Sequence, residues 1–165
     1  MTVKINADTS DGLKFVSDTS GIVEIQNNGT TIITSQQPSF SARLSSDQSV
    51  SATVVTKMAF ATEEWDTNSK YDNSTYRFTP TVSGYYQFNL GMRGSSTTRA
   101  IVYLYKNGAV FARNVAEGDQ YAALSVMAVA DADDYFEAFG YTTGSTFNGS
   151  VTEDNYFQAH YIRSA

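Results

Sequence analysis

The sequence predicts an all-β protein, a two-sheet antiparallel sandwich of the jelly-roll kind. Composition is the first observation: 41% of the 165 residues are hydrophobic and 13% aromatic, and Thr, Ser, Val, Tyr and Phe abound where runs of helix formers are sparse. The second is spacing, since about ten short β-type runs are separated by regular turn signals with no helical period. The third is that several runs are apolar on both faces. In a solitary sandwich one face of each sheet should be wet, so a second apolar face needs cover, and another copy of the chain is the economical cover.

Residues 1–37 read as a β-rich stem or attachment segment and residues 38–165 as a globular head. The stem holds three short runs opened by Gly12, Gly21 and Gly29, with Asn28-Gly29 between the last two. Asn-Gly between β runs is a hairpin signal, because both residues tolerate positive φ. So short a meander buries no core of its own. It either lies as an edge hairpin on the head or, the favoured reading, forms a stem in which several chains bury Leu13, Phe15, Ile22, Ile25, Ile32 and Ile33 together.

The head opens with a strand at Pro38-Ser-Phe-Ser-Ala-Arg-Leu, followed by two short strands within Ser49–Phe60. Glu63-Glu64-Trp65-Asp66 reads as the start of a polar loop, with Trp65 either a partly buried anchor or an exposed contact. Arg77–Phe88 reads as strand, turn at Val82-Ser83-Gly84, and strand. Tyr86, Phe88, Leu90 and Met92 point one way and Tyr85, Gln87, Asn89 and Arg93 the other. Pro80, which cannot donate to a central ladder, suits the strand end before the turn. Ser95, Ser96, Thr97, Thr98 and Arg99 form a polar loop after Gly94. Ala100–Lys106 is a strand with two apolar faces, and Asn107-Gly108 turns it into the next. Asn114–Gln120 reads as a second polar loop. Tyr121–Ala130, Tyr135–Tyr141 and Asn155–Arg163 complete the strands, the first and last of them expected to be covered on both sides.

Phe60, Asp66, Tyr71, Phe78, Gly84, Tyr86, Phe88 and Leu90 stand in the order and spacing of the complement C1q globular-domain pattern, with Leu90 in place of its final aromatic. The chain therefore resembles that family, and the phrases Leu104-Tyr-Lys-Asn-Gly and Thr146-Phe-Asn-Gly carry the likeness further. The resemblance implies a C1q/tumour necrosis factor-like jelly roll assembled as a homotrimer. Collagen repeats, the usual stalk of animal members, are absent; Asp11–Gly21 and Ile25–Thr31 instead resemble stem segments of marine bacteriophage tail fibres.

Chemistry has little to stand on. A formal net charge of -6 argues against a nucleic-acid grip, and no apolar stretch nears the ~20 residues that span a bilayer. The absence of cysteine excludes disulfides and thiolate metal sites. No basic segment and apolar run follow Met1, so no secretory leader is read. His160, the one histidine, is expected to pack among aromatics of the last strand, and no enzyme is expected. The adjacent carboxylates Glu63/Glu64, Asp133/Asp134 and Glu153/Asp154 read as loop solubilisers rather than a glycosidase pair. Asp131, Asp133 and Asp134 are a candidate calcium site, and no other cofactor is expected.

The expected function is that of a trimeric phage virion fibre or spike protein. Its stem would bind other virion proteins, and its head would adsorb to a host-surface glycan or protein. Contacts are expected at Ser95, Ser96, Thr97, Thr98 and Arg99, then at Asn114, Glu117, Asp119 and Tyr121. A non-binding capsid or tail decoration and a glycan depolymerase are the alternatives.

Overall fold

The structure, a computed structural model, describes residues 24–27, 30–34 and 37–165. Contacts divide the chain into Met1–Gln36 and Gln37–Ala165. Within the first unit, β1 (Glu24–Asn27) and β2 (Thr30–Thr34) form an antiparallel hairpin in which Asn27 faces Thr30. The apolar stem side chains named above, and the first glycine-led run, lie outside the described residues.

The second unit is two facing antiparallel sheets. One has the order β12-β9-β15-β3-β6, made from β3 (Ser39–Arg43), β6 (Thr62–Asp66), β9 (Gly84–Arg93), β12 (Tyr121–Ala130) and β15 (Tyr156–Arg163). The other runs β11-β10-β13-β8-β7, with β5 also beside β13. Its strands are β5 (Thr56–Lys57), β7 (Tyr71–Asp72), β8 (Arg77–Phe78), β10 (Arg99–Lys106), β11 (Ala109–Glu117) and β13 (Phe136–Thr142). Short β4 (Gln48–Ser49) pairs with β14 (Thr146–Phe147).

The residues of the family pattern are the core. Phe60, Phe78, Tyr86, Phe88 and Leu90 have no exposure, and period-two alternation in β9 sends the last three inward while Tyr85, Gln87 and Asn89 face out. Phe40 stacks on Tyr71 at 4.7 Å and on Phe78 at 4.6 Å, and Phe88 meets Phe136 at 4.3 Å. Asp66 acts through the backbone: its carboxylate accepts the Tyr71 N–H at 2.6 Å and the Asn68 N–H at 3.2 Å, closing the turn after β6. The Tyr71 hydroxyl donates to the Phe60 carbonyl at 2.7 Å, so a buried polar tip is satisfied. A Cβ on Gly84 would collide with the Arg163 carbonyl and the Tyr161 ring. Close approach of β15 is what that glycine serves.

Four expectations need correction. Thr62–Asp66 is a strand, not a loop; it reads as polar because it pairs only with β3 and leaves Thr62, Glu63, Glu64 and Trp65 exposed. Asn114–Glu117 also continues a strand, β11. Within one copy of the chain β12 is covered on one side only. It lies at a sheet edge, where Met127 is 61% exposed and Val129 44%. In β15 the second face is open as well: His160 is exposed rather than packed, because Phe157, Ala159 and Tyr161 take the inward positions and leave His160 the outward one. By contrast β10 is buried on both faces, with Ile101 and Tyr103 on one side and Val102 and Leu104 on the other.

At the β11/β12 side, side chains of one sheet reach the backbone of the other. Asn114 Nδ2 donates to the Ala123 carbonyl at 2.7 Å and Lys106 Nζ to the Val129 carbonyl at 2.8 Å.

Candidate functional site

The register fixes two ends of the sandwich. Arg93 faces Tyr121 and Tyr156 faces both Gly91 and Arg43 at one end; Ser39 faces His160, and Tyr85 faces Arg163, toward the other. β3 thus begins at the end of the head opposite the loop that follows β9. At that loop end the two polar stretches come together. The Gly94 N–H donates to the Gln120 carbonyl at 2.8 Å, and the Gly118 N–H to the Thr98 carbonyl at 2.7 Å. Arg99 Nε lies 2.8 Å from Glu117 Oε1, an ion pair without a directed hydrogen bond at that nitrogen. The turn after β13 joins them: the Ser95 N–H reaches the Thr146 carbonyl at 2.8 Å and the Thr143 N–H the Arg99 carbonyl at 3.2 Å.

Thr97 organises this end and is itself buried, 7% exposed. Its hydroxyl donates to the Arg99 carbonyl at 2.7 Å and accepts the Thr143 N–H at 3.1 Å, with the Thr143 hydroxyl 2.7 Å away. Ser96 takes a φ of 51°, an uncommon conformation for a residue with a Cβ that a tightly bonded loop sustains. Ser96, Thr98 and Thr143 are exposed, Ser95 and Arg99 half-buried. Asp119 Oδ1 accepts the Gln120 N–H at 2.6 Å and the Tyr121 N–H at 3.2 Å. The result is a rigid display of hydroxyls, one ion pair and one carboxylate.

Other predicted site residues take structural positions. Asn114 ties β11 to β12 as described. Tyr121 lies on the outer sheet face, 3.2 Å hydroxyl to hydroxyl from Tyr156, and burial pushes its hydroxyl pKa up. Beside them Arg93 pairs with Asp154. Tyr156 crosses Gly91, where a Cβ would come within 2.5 Å of its ring.

Asp131, Asp133 and Asp134 do not form a cage. Asp134 is engaged by Lys106 Nζ at 2.8 Å, by Asn107 Nδ2 at 2.7 Å and by the Asp131 N–H at 2.8 Å. Burial alone would raise its pKa, but these donors hold it below the ordinary value. Among the described residues no three acidic, histidine or cysteine side chains gather to hold a metal ion. Each adjacent carboxylate pair surrenders one member to a cation: Glu64 to Arg43, Asp134 to Lys106 and Asp154 to Arg93. Hydrogen bonds from Arg43 and Ser41 lower the Glu64 pKa, the opposite of what a general acid needs.

Sequence reasoning missed Trp65 as a strand residue, Thr143 as part of the loop end, and the β11/β12 side. Val110, Phe111, Met127 and Val129 are all exposed there. The apolar character of Val110 and Phe111 was visible in the sequence, but an edge position was not.

A two-sheet antiparallel jelly roll with its loops gathered at one end is the class that the fold defines. The chain belongs to the C1q domain family, whose model matches residues 39–157. Solved structures similar to it include Eiger TNF from S. frugiperda, at 12% identity and a TM-score of 0.60, covering 78% of this chain and 93% of that one. Murine APRIL is similar at 7% identity and a TM-score of 0.62, covering 76% and 98%. The globular domain of zebrafish complement 1qA is similar at 18% identity and a TM-score of 0.53, covering 78% and 99%. No curated protein matches in sequence.

Proposed function

We propose that the protein is a homotrimeric binding head on a stem, a phage virion fibre or spike component that adsorbs to a host surface after release from the cell. The observation that carries this reading is the convergence of Ser95–Arg99 with Glu117–Gln120 and Thr143, at the end of the head opposite the start of β3. A fibre tip needs that polarity: attachment at one end and exposed hydrogen-bonding groups at the other. Weak contacts at each loop end, repeated in a trimer and over many trimers, give avidity without one strong site.

Val110, Phe111, Met127 and Val129, clustered at the β11/β12 side, support self-association. Left in water they are an exposed apolar patch. Seated on the outer face of β9 and β15 in a second copy, they would lose it. Light scattering of the full chain is expected to give three copies at micromolar concentration, and Met127→Asp to give one with an unchanged circular-dichroism spectrum. A monomeric wild type overturns the architecture. Replacing Ser95–Thr98 by Gly-Ser linker is expected to abolish competition with particles for adsorption; unchanged competition would make the head a structural decoration.

A further inference from the structure

The β6 edge presents the one tryptophan of the chain, Trp65, 48% exposed. Its pairing with β3 is bulged: Ser41 faces Trp65 and Ala42 faces Glu63, leaving Glu64 as the extra residue. A bulge re-aims side chains, and here Glu64 shares the outer face with Ser41 and Arg43. Glu64 Oε1 lies 2.7 Å from Arg43 Nε, and its Oε2 accepts the Ser41 hydroxyl at 2.6 Å. Gln158 Nε2, on the next strand, donates to Ser41 Oγ at 3.0 Å. Ser41 has no exposure. The register thus places an exposed indole opposite Ser41, the residue around which a carboxylate, a guanidinium and a primary amide are held by hydrogen bonds and an ion pair.

We propose that this edge is a subsite for a neutral pyranose glycan. The C–H face of a pyranose ring is apolar, its hydrogens carry slight positive charge, and the indole face is the negative part of its quadrupole. The hydroxyls around that ring are vicinal donors and acceptors, matched by a carboxylate, a guanidinium and an amide of fixed orientation. Preorganisation matters because ordering long side chains costs affinity. An acidic glycan fits poorly: the Arg43 charge is already paired, Glu63 and Glu64 are exposed, and the chain is net -6. Trp65, Glu64 and Arg43 lie on the two strands of this sheet farthest from β12, outside the β9 and β15 face that a second copy would cover in the trimer proposed above, and Gln158 borders that face. The subsite does not depend on the loop end.

Because Trp65 is the sole tryptophan, indole emission of the full-length protein reports on this edge alone. Titration with neutral hexasaccharides of glucose, mannose and N-acetylglucosamine is expected to give, for at least one, a saturable blue shift with a Kd of about 1 mM or tighter. Glu64→Gln and Gln158→Ala should each weaken it about tenfold with unchanged circular dichroism, and calorimetry should show no binding to Trp65→Ala. Ser96→Ala, in the loop end, should leave the titration unchanged, so failure here and failure of the loop-end reading are told apart. No emission change with any neutral hexasaccharide, an equal response to an acidic heparin hexasaccharide, or a response only to an extended peptide pairing with the β6 edge would overturn the proposal.

Discussion

Glu137→Gln is expected to destabilise the head by about 1 to 3 kcal/mol at pH 7. The Glu137 side chain is 7% exposed, on the outward row of β13. Its Oε1 accepts from Lys57 Nζ at 2.7 Å, from Arg77 Nη2 at 2.9 Å and from Arg77 Nε at 3.1 Å. Each charge-assisted bond contributes about 1.5 to 3 kcal/mol, but the contributions do not add. Lys57 and Arg77 are 31% and 39% exposed, so both rehydrate once the carboxylate is neutral. A pair buried on both sides would lose about 3 to 5 kcal/mol instead. Burial alone would raise the Glu137 pKa, yet the two cations hold it below its ordinary 4.5. The unfolded chain therefore takes up the proton first. The stabilisation is fully present above about pH 4.5 and is lost as pH falls through the lower, folded value. Urea melts of wild type and variant should show the gap at pH 7 and its closure on acidification. A gap below about 0.5 kcal/mol at pH 7, or one that persists unchanged into acid, would refute the reasoning.

Phe88→Ala empties the centre of the ring cluster and should cost about 3 to 5 kcal/mol, a fall in Tm of roughly 10 to 20 °C by calorimetry, with Phe88→Leu losing much less. Gly144→Ala places a Cβ on the Ser95 carbonyl oxygen; about 1 to 3 kcal/mol of strain is expected, together with faster amide exchange at Thr97, Arg99 and Thr143.

Much of the fold was legible because it rests on local alternation. The residues of β9 announce their faces by period two, and the structure buries Tyr86, Phe88, Leu90 and Met92 as that pattern requires. Edges were not legible. Tyr121–Ala130 and Thr62–Asp66 misled in opposite directions, one apolar but half in water, the other polar but a strand, because neighbour order in a sheet is a tertiary property. The β6 bulge left no trace in the sequence, so the grouping of Trp65 with Glu64 and Arg43 was hidden. The first polar loop stretch was visible as such and the second only over Gly118–Gln120, the rest of it being strand; their meeting is set by distant pairings such as Gly94 with Gln120. Thr97 looked like one more loop hydroxyl; its burial follows from Thr143, which approaches it only in the fold.

The side-chain bonds from Asn114 and Lys106 onto the Ala123 and Val129 carbonyls occupy acceptors along the free margin of β12. A foreign strand adding there would have to displace both before completing a ladder. Growth by strand addition is thereby blocked on that side. In the trimer proposed above, copies of the head would therefore meet at this side through side-chain surfaces rather than through a shared ladder.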